Sequence, residues 1–518
     1  MSTKKYSSIS SCGISSMQGV PVEVEVTILP GLPGFEITGL GDPAIREARN
    51  RVRAAIVNSG YRFPEGKILA SYAPAWIQKR GTGFDLPLAL AILEASGQIA
   101  RPVNLSAILI MGELALNGEI LGIPGVLNRM ITGQQKGRFR ECLGPQANTG
   151  EAELLSKIKY YGVPDLRTAI AVYSGVKIKL DKPPIKHVNN VVMTKRLDDF
   201  AGQITAKRAL IIAAAGYHTL LMLGSPGCGK TSLAGCLPGL LPQLSEEESL
   251  IVTMIQSALA QGEIIDKLAT ARPFFAPHHS VTQAALIGGG SPLHPGLCTR
   301  AHLGVLFLDE LTEFPKAVLD LLREPLESGK IRIARAREFA NWPAEFLLTA
   351  AANPCRCGYA LEPNDKCRCT PDQIRQHLHK ISGPLWDRLN LCVTMQSLSG
   401  SDLINSTSTT SGNEQGLAAK QIQTCWEIQK QRSVKLGFKK KFHNSNVPLT
   451  DYRKDFQIEE KTLVLLSNFA AARTVTARSF HNMLRGARTV ADLEESYTVK
   501  PEHIAEIMQY RLDIGTLV

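Results

Sequence analysis

Gly224-Ser225-Pro226-Gly227-Cys228-Gly229-Lys230-Thr231 is the stretch that decides the fold of the central part of this chain. It fits the pattern G-x-x-x-x-G-K-[ST] of phosphate-binding loops. The apolar run Thr219–Leu223 before it predicts a buried strand, and Ser232–Leu237 after it has the composition of a helix. Glycines let the backbone N–H groups of such a loop close around phosphate oxygens at the start of the helix. The sequence therefore predicts binding of ATP or a related nucleotide.

The chemistry of a nucleotide assigns a role to the last residues of this loop. Lys230 is expected to reach the β- and γ-phosphates, and the Thr231 hydroxyl is expected to bind Mg²⁺. The residues predicted to contact the nucleotide are Gly224, Ser225, Pro226, Gly227, Cys228, Gly229, Lys230, Thr231 and Ser232.

Two further apolar runs end in polar residues that suit nucleotide hydrolysis. Gly304–Leu308 is followed by Asp309, a predicted Mg²⁺ ligand, and by Glu310, a predicted general base that orients the attacking water. The run Phe346–Ala352 ends at Asn353, whose amide is expected to bind the γ-phosphate or that water.

Composition limits the broad class of the protein. The 518 residues are 44% hydrophobic and 20% charged, as in a globular protein, and the net charge of +11 favours a polyanionic partner such as nucleic acid. An apolar run of about 18 residues is missing, so we expect no membrane span. The start of the chain has no apolar signal core, and the eleven cysteines are an odd number, so we expect a cytoplasmic protein without a disulfide framework.

Composition shifts predict the division of the chain. We expect an α/β N-terminal domain at residues 1–175, a linker at 176–193, an ATPase core at 194–396, a flexible linker at 397–416 and a helical domain at 417–518. Periodicity predicts a strand at Val22–Ile28 and helices at Pro43–Asn58, Phe84–Ala95, Lys461–Ala472 and Ser479–Leu493.

Two motifs suggest contacts beyond the nucleotide. Cys355, Cys357, Cys367 and Cys369 have the spacing C-x-C-x₉-C-x-C, which predicts either a structural zinc site or free thiols in a loop. The segment 329–337 alternates apolar and basic residues, so it predicts a strand with one cationic face that either follows a phosphate backbone or is merely solvated. The basic residues of that face are Lys330, Arg332, Arg335 and Arg337.

These motifs together resemble the ComM/YifB family of magnesium-chelatase-like AAA+ ATPases. The resemblance rests on Arg272–Gly290, Gly304–Phe314, Leu322–Ala336, Asn353–Tyr359, Cys367–Ile374, Ser382–Asn390, the N-terminal segments LPGLPGFEITGLGDPAIREARNRVRAAI and GFDLPLALAIL, and Ala477–Glu494. It implies an AAA+ core with a parallel sheet, a C-terminal helical lid and a hexameric ring with ATP between subunits. The function that it implies is a DNA helicase that migrates branches on single-stranded and branched DNA during natural transformation.

The resemblance also implies roles for single residues. Asn353 corresponds to sensor 1, Arg388 to the arginine finger that a neighbouring subunit supplies, and Arg478 to sensor 2, with Arg485 as the alternative. The hairpin at 329–337 is expected in the pore of the ring. The family usually has Pro and Ser where this chain has Ser225 and Cys228, and Asp and Leu where it has Asn390 and Trp386.

The N-terminal domain resembles the proteolytic domain of Lon-type proteases. Asp85 stands at the position of the catalytic serine and Leu127 at that of the lysine, so we expect the fold without the protease, with a role in ring assembly or DNA entry. An ATP-dependent protease is therefore disfavoured. The remaining alternative is a chelatase-type motor subunit that remodels a protein partner.

Overall fold

A computed structural model describes residues 5–511 with short gaps. The residues left out are 16, 39–42, 76–78, 80, 101–107, 136–138, 177–194, 201, 260–264, 266, 292, 336–337, 363–365, 398–412, 439–441, 449–450 and 473–474. The chain forms two compact units, Met1–Asn190 with Glu246–Ala269, and Val191–Ser245 with Thr270–Val518. Among the described helices, none combines the length and the apolar character needed to cross a membrane.

The first unit is a mixed α/β structure. Its largest sheet has four strands in the order Tyr6–Ser15, Gln18–Leu29, Lys67–Ala73 and Gly34–Thr38, of which only the last pair is parallel. A parallel sheet contains Ile108–Ile110, Glu141–Pro145 and Lys159–Val163, and Glu113–Leu114 pairs with Ile120–Leu121. The helices are Pro43–Asn58, Asp85–Ala95, Val126–Gln135, Thr149–Glu153, Leu166–Tyr173 and, from later in the chain, Glu246–Leu259.

The sequence patterns explain the core of this unit. Val22, Val24 and Val26 are buried at alternate positions of their strand, which confirms the prediction of a half-buried strand. The helix Asp85–Ala95 is buried all round, so its continuous apolar sequence lies at the centre of the unit. The helix predicted at Pro43–Asn58 has the predicted bounds.

The helix Glu246–Leu259 follows the phosphate-loop region in sequence but packs into the first unit. Asn128 Nδ2 donates to the Met254 carbonyl at 3.1 Å, and the Ser257 hydroxyl contacts the Glu151 carboxylate. Our sequence-based division kept this helix within 194–396, because its composition does not distinguish it from its neighbours. The linkers predicted at 176–193 and 397–416 lie mostly outside the described residues, and a helix already begins at Glu414.

The second unit is built on a five-stranded parallel sheet. The strand order is Phe274–Phe275, Val305–Leu308, Leu347–Ala352, Leu220–Gly224 and Leu391–Met395. The three apolar runs of the sequence thus become the three central strands, which are buried on both faces as parallel strands covered by helices are. Two antiparallel hairpins accompany the sheet: Lys330–Arg335 with Glu338–Pro343, and Gly288–Gly289 with His294–Pro295.

Helices surround this sheet and form the C-terminal region. Those before residue 400 are Ile204–Gly216, Lys230–Ala234, Leu237–Leu240, Gln283–Ile287, Leu297–Arg300, Lys316–Asp320, Arg323–Ser328, Pro371–Leu378 and Gly383–Trp386. The C-terminal helices are Glu414–Lys435, Tyr452–Asp455, Glu460–Ala472, Ala477–Leu493 and Pro501–Gln509. A parallel sheet followed by a helical region is the α/β fold class that the sequence predicted for this part of the chain.

Candidate nucleotide-binding and hydrolysis site

The phosphate loop connects the strand Leu220–Gly224 to a helix that begins at Lys230. Gly227 and Gly229 have φ values of 80° and 93°, a left-handed conformation that glycine adopts without strain. A side chain at Gly224 would meet the Met395 carbonyl at 2.5 Å, because the neighbouring strand passes close to the loop. The local geometry therefore requires glycine at Gly224 and Gly229, which the motif specifies, and at Gly227, where the motif allows any residue.

Lys230 is held at the centre of the loop by three acceptors. Its Nζ donates to the carbonyls of Gly224 at 2.7 Å and Ser225 at 2.8 Å, and to Asn353 Oδ1 at 3.2 Å. Asn353 follows the strand Leu347–Ala352, which lies beside the phosphate-loop strand, so parallel pairing brings both residues to one edge of the sheet. The predicted sensor residue thus lies next to the predicted phosphate-binding lysine.

Thr231 and Asp309 form the predicted Mg²⁺ position. The Thr231 hydroxyl donates to Asp309 Oδ2 at 2.6 Å, although 78 residues separate the two in sequence. A hydroxyl and a carboxylate at the carboxyl edge of a parallel sheet are the hard oxygen ligands that Mg²⁺ takes in nucleotide sites. The donor set therefore fits the metal.

Glu310 lies beside this pair but its side chain points elsewhere. Its backbone is left-handed, with a φ of 52°, and its side chain is 55% exposed. The Glu310 carboxylate lies 3.4 Å from His279 Nδ1. His279 is a site residue that the sequence did not predict, because nothing in the pair His278–His279 by itself indicates a carboxylate partner. The available signal was its place shortly after the strand Phe274–Phe275.

Arg388 and Arg478 lie together, away from the phosphate loop. Both guanidinium groups bind Glu327, at 2.5 Å and 2.7 Å. Hydrogen bonds from Arg478 lower the pKa of the Glu327 carboxyl, with burial opposing the shift. Because Arg388 precedes the strand Leu391–Met395, it lies at the amino edge of the parallel sheet, roughly 15 Å of strand from the carboxyl edge that carries Lys230.

The alternative sensor, Arg485, has a structural role. It donates to the backbone carbonyls of Asn444 at 3.2 Å and Val447 at 3.0 Å, and to the Tyr452 hydroxyl at 2.9 Å. These bonds occupy its guanidinium within the C-terminal region. Of the two arginines that the resemblance offered, Arg478 is therefore the one near Arg388.

Two of the four family departures, Asn390 and Cys228, have local explanations. Asn390 donates through Nδ2 to Nδ1 of the buried His218 at 3.1 Å, and an amide suits a neutral imidazole. Burial raises the pKa of the Cys228 thiol, although Lys230 opposes that shift. Cys228 is therefore a buried packing residue of the loop, and neither change removes a ligand of the nucleotide.

The four cysteines converge as the spacing predicted. Their sulfur atoms all lie within 4.8 Å of one another, with Cys355 at 3.3 Å from Cys357 and 3.7 Å from Cys367. Tetrahedral zinc with Zn–S bonds of about 2.3 Å places sulfur atoms about 3.8 Å apart. Burial raises the pKa of the Cys357 thiol. Hydrogen bonds from backbone N–H groups and from the neighbouring thiols lower the pKa by more than burial raises it, so that it is about 6. The donor set fits a Cys₄ zinc site.

The basic segment forms a hairpin strand, as predicted, but its cations do not share one face. Lys330 and Arg332 lie on one face of the strand, and Arg335, three residues after Arg332, lies on the opposite face because successive side chains of a strand alternate. Lys330, Arg332 and Arg335 are exposed on the strand, whereas Ile331 between them is buried. Arg335 Nη1 donates to the Gly290 carbonyl at 2.8 Å. Arg337, also predicted to contact DNA, lies outside the described residues.

The first unit lacks the two protease groups at the expected positions. Asp85 is 1% exposed and binds Arg51 at 2.8 Å. Burial raises the pKa of the Asp85 carboxyl to about 6, and the bond to Arg51 lowers it only in part. Leu127 is fully buried. An ion pair and an aliphatic side chain stand where a serine and a lysine would be needed.

Comparison with protein families identifies three matching regions. Residues 24–148 match subunit ChlI of Mg-chelatase, residues 196–403 match magnesium chelatase, subunit ChlI, and residues 414–511 match the C-terminal part of that subunit. The middle match contains the phosphate loop, Asp309, Glu310, the four cysteines and Arg388. A partial relative is the magnesium-chelatase 38 kDa subunit of Rhodobacter capsulatus, 28% identical over 30% of this chain and 48% of that protein.

Two relatives match nearly the whole chain. The uncharacterized protein YifB of Salmonella typhimurium is 38% identical over 95% of this chain and 94% of its own length. The competence protein ComM of Haemophilus influenzae is 36% identical over 97% of this chain and 96% of its own length. The parallel sheet, the helical C-terminal region and these matches show that the chain belongs to the ComM/YifB family of magnesium-chelatase-like AAA+ proteins.

Proposed function

We propose that this protein is an ATP-driven DNA motor that assembles as a ring, hexameric as the resemblance implies, and migrates DNA branches during natural transformation. The observation that carries the proposal is that one unit contains both the proposed phosphate, metal and water residues, Lys230, Asp309, Glu310 and Asn353, and an exposed basic hairpin. The full-length similarity to a competence protein supports the biological setting.

The site geometry supports ATP hydrolysis in which each residue has a separate role. Lys230 binds the β- and γ-phosphates, Asn353 holds the γ-phosphate side, and Glu310 accepts the proton of the attacking water. Thr231 and Asp309 would hold Mg²⁺, which neutralises phosphate charge when bound. The chain's own contribution is mainly positioning and charge, as is usual in phosphoryl transfer.

The place of the two remaining arginines supports the proposal of a ring. Arg388 and Arg478 share Glu327 at the amino edge of the sheet, whereas the phosphate loop lies at the carboxyl edge. We infer that both act on ATP held by a neighbouring subunit, where they stabilise the charge of the transferred phosphoryl group. In that complex the phosphate replaces Glu327 as their partner.

The hairpin Lys330–Pro343 supplies the DNA contact. Three exposed cations, Lys330, Arg332 and Arg335, lie on one short strand, and exposed cations of this kind bind a phosphate backbone without reading its sequence. The net charge of +11 supports the same partner.

The cysteine cluster is proposed as a structural zinc site. It connects Asn353 to the helix Pro371–Leu378, and His377 of that helix has Nε2 within 3.2 Å of the Asn353 carbonyl. Zinc would therefore stabilise the loop that follows the sensor residue.

ATP hydrolysis and branch displacement on forked and three-way DNA test this proposal. We expect DNA to raise the hydrolysis rate and ATP to drive strand displacement, and Lys230→Ala to abolish both. A double variant with Lys330 and Arg332 changed to Ala, which leaves the hydrogen bond of Arg335 to the Gly290 carbonyl in place, should keep basal hydrolysis and lower DNA stimulation. Hydrolysis without DNA stimulation or displacement in the unmodified protein would refute the motor and favour remodelling of a protein partner.

A further inference from the structure

The loop that carries the four cysteines lies against the phosphate loop. A turn closes between Cys355 and Gly358, where the Gly358 N–H donates to the Cys355 carbonyl at 3.0 Å. Gly358 has a φ of 87°, and a side chain at this position would meet Pro226 Cδ at 2.6 Å. The turn that contains Cys355 and Cys357 is therefore packed directly on the phosphate loop.

A hydrogen bond of Glu362 connects the same two loops. The Glu362 backbone N–H donates to the Tyr359 carbonyl at 3.0 Å, so a second turn follows the first and fixes the point from which the side chain starts. The buried Ser225 hydroxyl donates to Glu362 Oε1, although 137 residues separate the two in sequence. The family usually has proline at position 225, which has no hydroxyl, so the resemblance does not imply this bond.

The Glu362 carboxylate is also held from a second direction. Ser397, which follows the strand Leu391–Met395, donates to Glu362 Oε1 through its hydroxyl at 2.6 Å and through its backbone N–H at 3.2 Å. Hydrogen bonds from Ser225 and Ser397 lower the pKa of the Glu362 carboxyl, so it is ionised at neutral pH. An ionised acceptor forms stronger hydrogen bonds than a neutral one, and the carboxylate therefore fixes the Ser225 side chain.

Ser225 is the residue through which this contact can affect the nucleotide. Its carbonyl accepts a hydrogen bond from Lys230 Nζ at 2.8 Å, so a shift of Ser225 also shifts a partner of the predicted phosphate-binding lysine. Asn353, which accepts from the same Nζ at 3.2 Å, stands two residues before Cys355. The cysteine loop is thus connected to Lys230 at both of its ends, through Asn353 and through Ser225.

We propose that Glu362 is a positioning residue that connects the four cysteines to the phosphate loop, so that a thiophilic divalent cation at the cysteines raises the affinity for ATP. A metal bound by four thiolates restricts the loop between Cys355 and Cys369, and the restricted loop holds Glu362 and Ser225 in place. A phosphate loop that is already ordered loses less conformational entropy when the nucleotide binds. The inference rests on the proposed function and adds to it the coupling between its zinc site and its ATP site.

Equilibrium binding of a non-hydrolysable ATP analogue in the presence of Mg²⁺ tests this coupling. The full-length protein is measured with zinc bound, and again after a chelator has removed the zinc and the Mg²⁺ buffer has been restored. We expect zinc removal to weaken binding of the analogue about tenfold, a usual size for coupling between two sites. Circular dichroism checks that the zinc-free protein is still folded.

Variants of the connecting bond assign the coupling to Glu362. With zinc bound, Ser225→Ala and Glu362→Ala should bind the analogue about fivefold more weakly than the unmodified protein, and zinc removal should weaken them further by no more than about twofold. Glu362→Gln keeps an oxygen that accepts from the Ser225 hydroxyl, so it should behave as the unmodified protein. Ser397→Ala is the matched control, because it also removes a hydroxyl that donates to Glu362 but leaves the phosphate loop unchanged, and it should keep the response to zinc.

The affinity for zinc gives a second readout that does not depend on hydrolysis. Coupling between two binding sites is reciprocal, so the ATP analogue should raise the affinity for zinc by the same factor by which zinc raises the affinity for the analogue. Competition with a chromogenic chelator measures this factor by absorbance. The increase should be lost in Ser225→Ala.

The outcomes separate this inference from the proposed function. If zinc removal leaves the affinity for the analogue unchanged, or if Ser225→Ala keeps the full response to zinc, the coupling through Glu362 is refuted while the DNA motor stands. If the zinc-free protein unfolds, the zinc-bound variants decide, and equal affinities of Ser225→Ala and the unmodified protein refute the coupling. A protein without zinc would refute both the zinc site and this inference. Failure of the zinc-bound, unmodified protein to bind the analogue would refute the proposed function as well.

Discussion

Replacing Asp492 with alanine should destabilise the C-terminal region by about 3 kcal/mol. Asp492 is fully buried and accepts hydrogen bonds from Arg432 at 3.0 Å, Arg488 at 3.0 Å and Asn444 at 2.8 Å. It therefore joins the helix Ala477–Leu493 to the helix Glu414–Lys435. Arg478, the proposed sensor, lies on the first of these helices, so the network also positions a functional residue.

The size of the effect follows from the charges left behind. Removing one partner of a buried ion pair costs about 3–5 kcal/mol, because the other charge stays buried without compensation. Arg488 is only 1% exposed, and burial lowers its pKa while Asp492 raises it. However, Arg488 also donates to the carbonyls of Phe456 at 3.1 Å and Tyr497 at 2.9 Å. These acceptors remain in the variant, so we expect the lower end of the range.

Scanning calorimetry measures this cost. A loss of about 3 kcal/mol in a unit of this size lowers Tm by roughly 5 °C. The two compact units are expected to give separate transitions, and the shift belongs to the one that contains residues 270–518. Glu502→Gln is the matched control, an exposed acid of the same region, and should shift Tm by less than about 2 °C. A shift of Asp492→Ala no larger than the control would refute the view that this carboxylate neutralises buried arginines.

Three further predictions address the site and its surroundings. Glu310→Gln should keep the affinity for ATP and lower the hydrolysis rate by about 100-fold or more, whereas Lys230→Ala should lose the affinity. Equilibrium binding and steady-state rates distinguish the two variants. Equal ATP affinities of the two variants would contradict the roles proposed for Lys230 and Glu310. Metal analysis should find about one zinc per chain, and Cys357→Ser should lower it; a zinc-free protein would refute the site. Burial lowers the pKa of His218 to about 3 and that of His302 to about 4, so below pH 6.5 the unfolded chain binds protons more readily than the folded protein does. The contribution of each histidine to the free energy of unfolding should be complete above that pH and should fall by about 2 kcal/mol at pH 5. A Tm that is equal at pH 5 and pH 7.5 would contradict this prediction.

Local sequence was sufficient to predict each element that carries catalysis. The loop 224–231 specifies its own conformation, because glycine is needed where φ is positive. The run Gly304–Leu308 and the run Phe346–Ala352 are apolar without alternation, which indicates strands buried on both faces. Parallel strands of one sheet end at one edge, so the meeting of Lys230, Thr231 and Asp309 could be expected from the motifs alone.

Other features depend on contacts between segments far apart in the chain. The pairing of Arg388 and Arg478 on Glu327, and the contact of His279 with Glu310, join groups with no shared periodicity or spacing. Likewise, the composition of the helix Glu246–Leu259 does not indicate that it packs in the first unit.

The sequence by itself determined the phosphate loop, the acidic pair after the second strand, the cysteine spacing and the alternation of the hairpin, because each depends on neighbours within about a dozen residues. Only the tertiary structure decided which side chains meet: it put the two arginines at the sheet edge opposite the loop and His279 beside Glu310. The physical reason is that backbone conformation responds to local sequence, whereas side-chain partners at a site are selected by how whole elements pack.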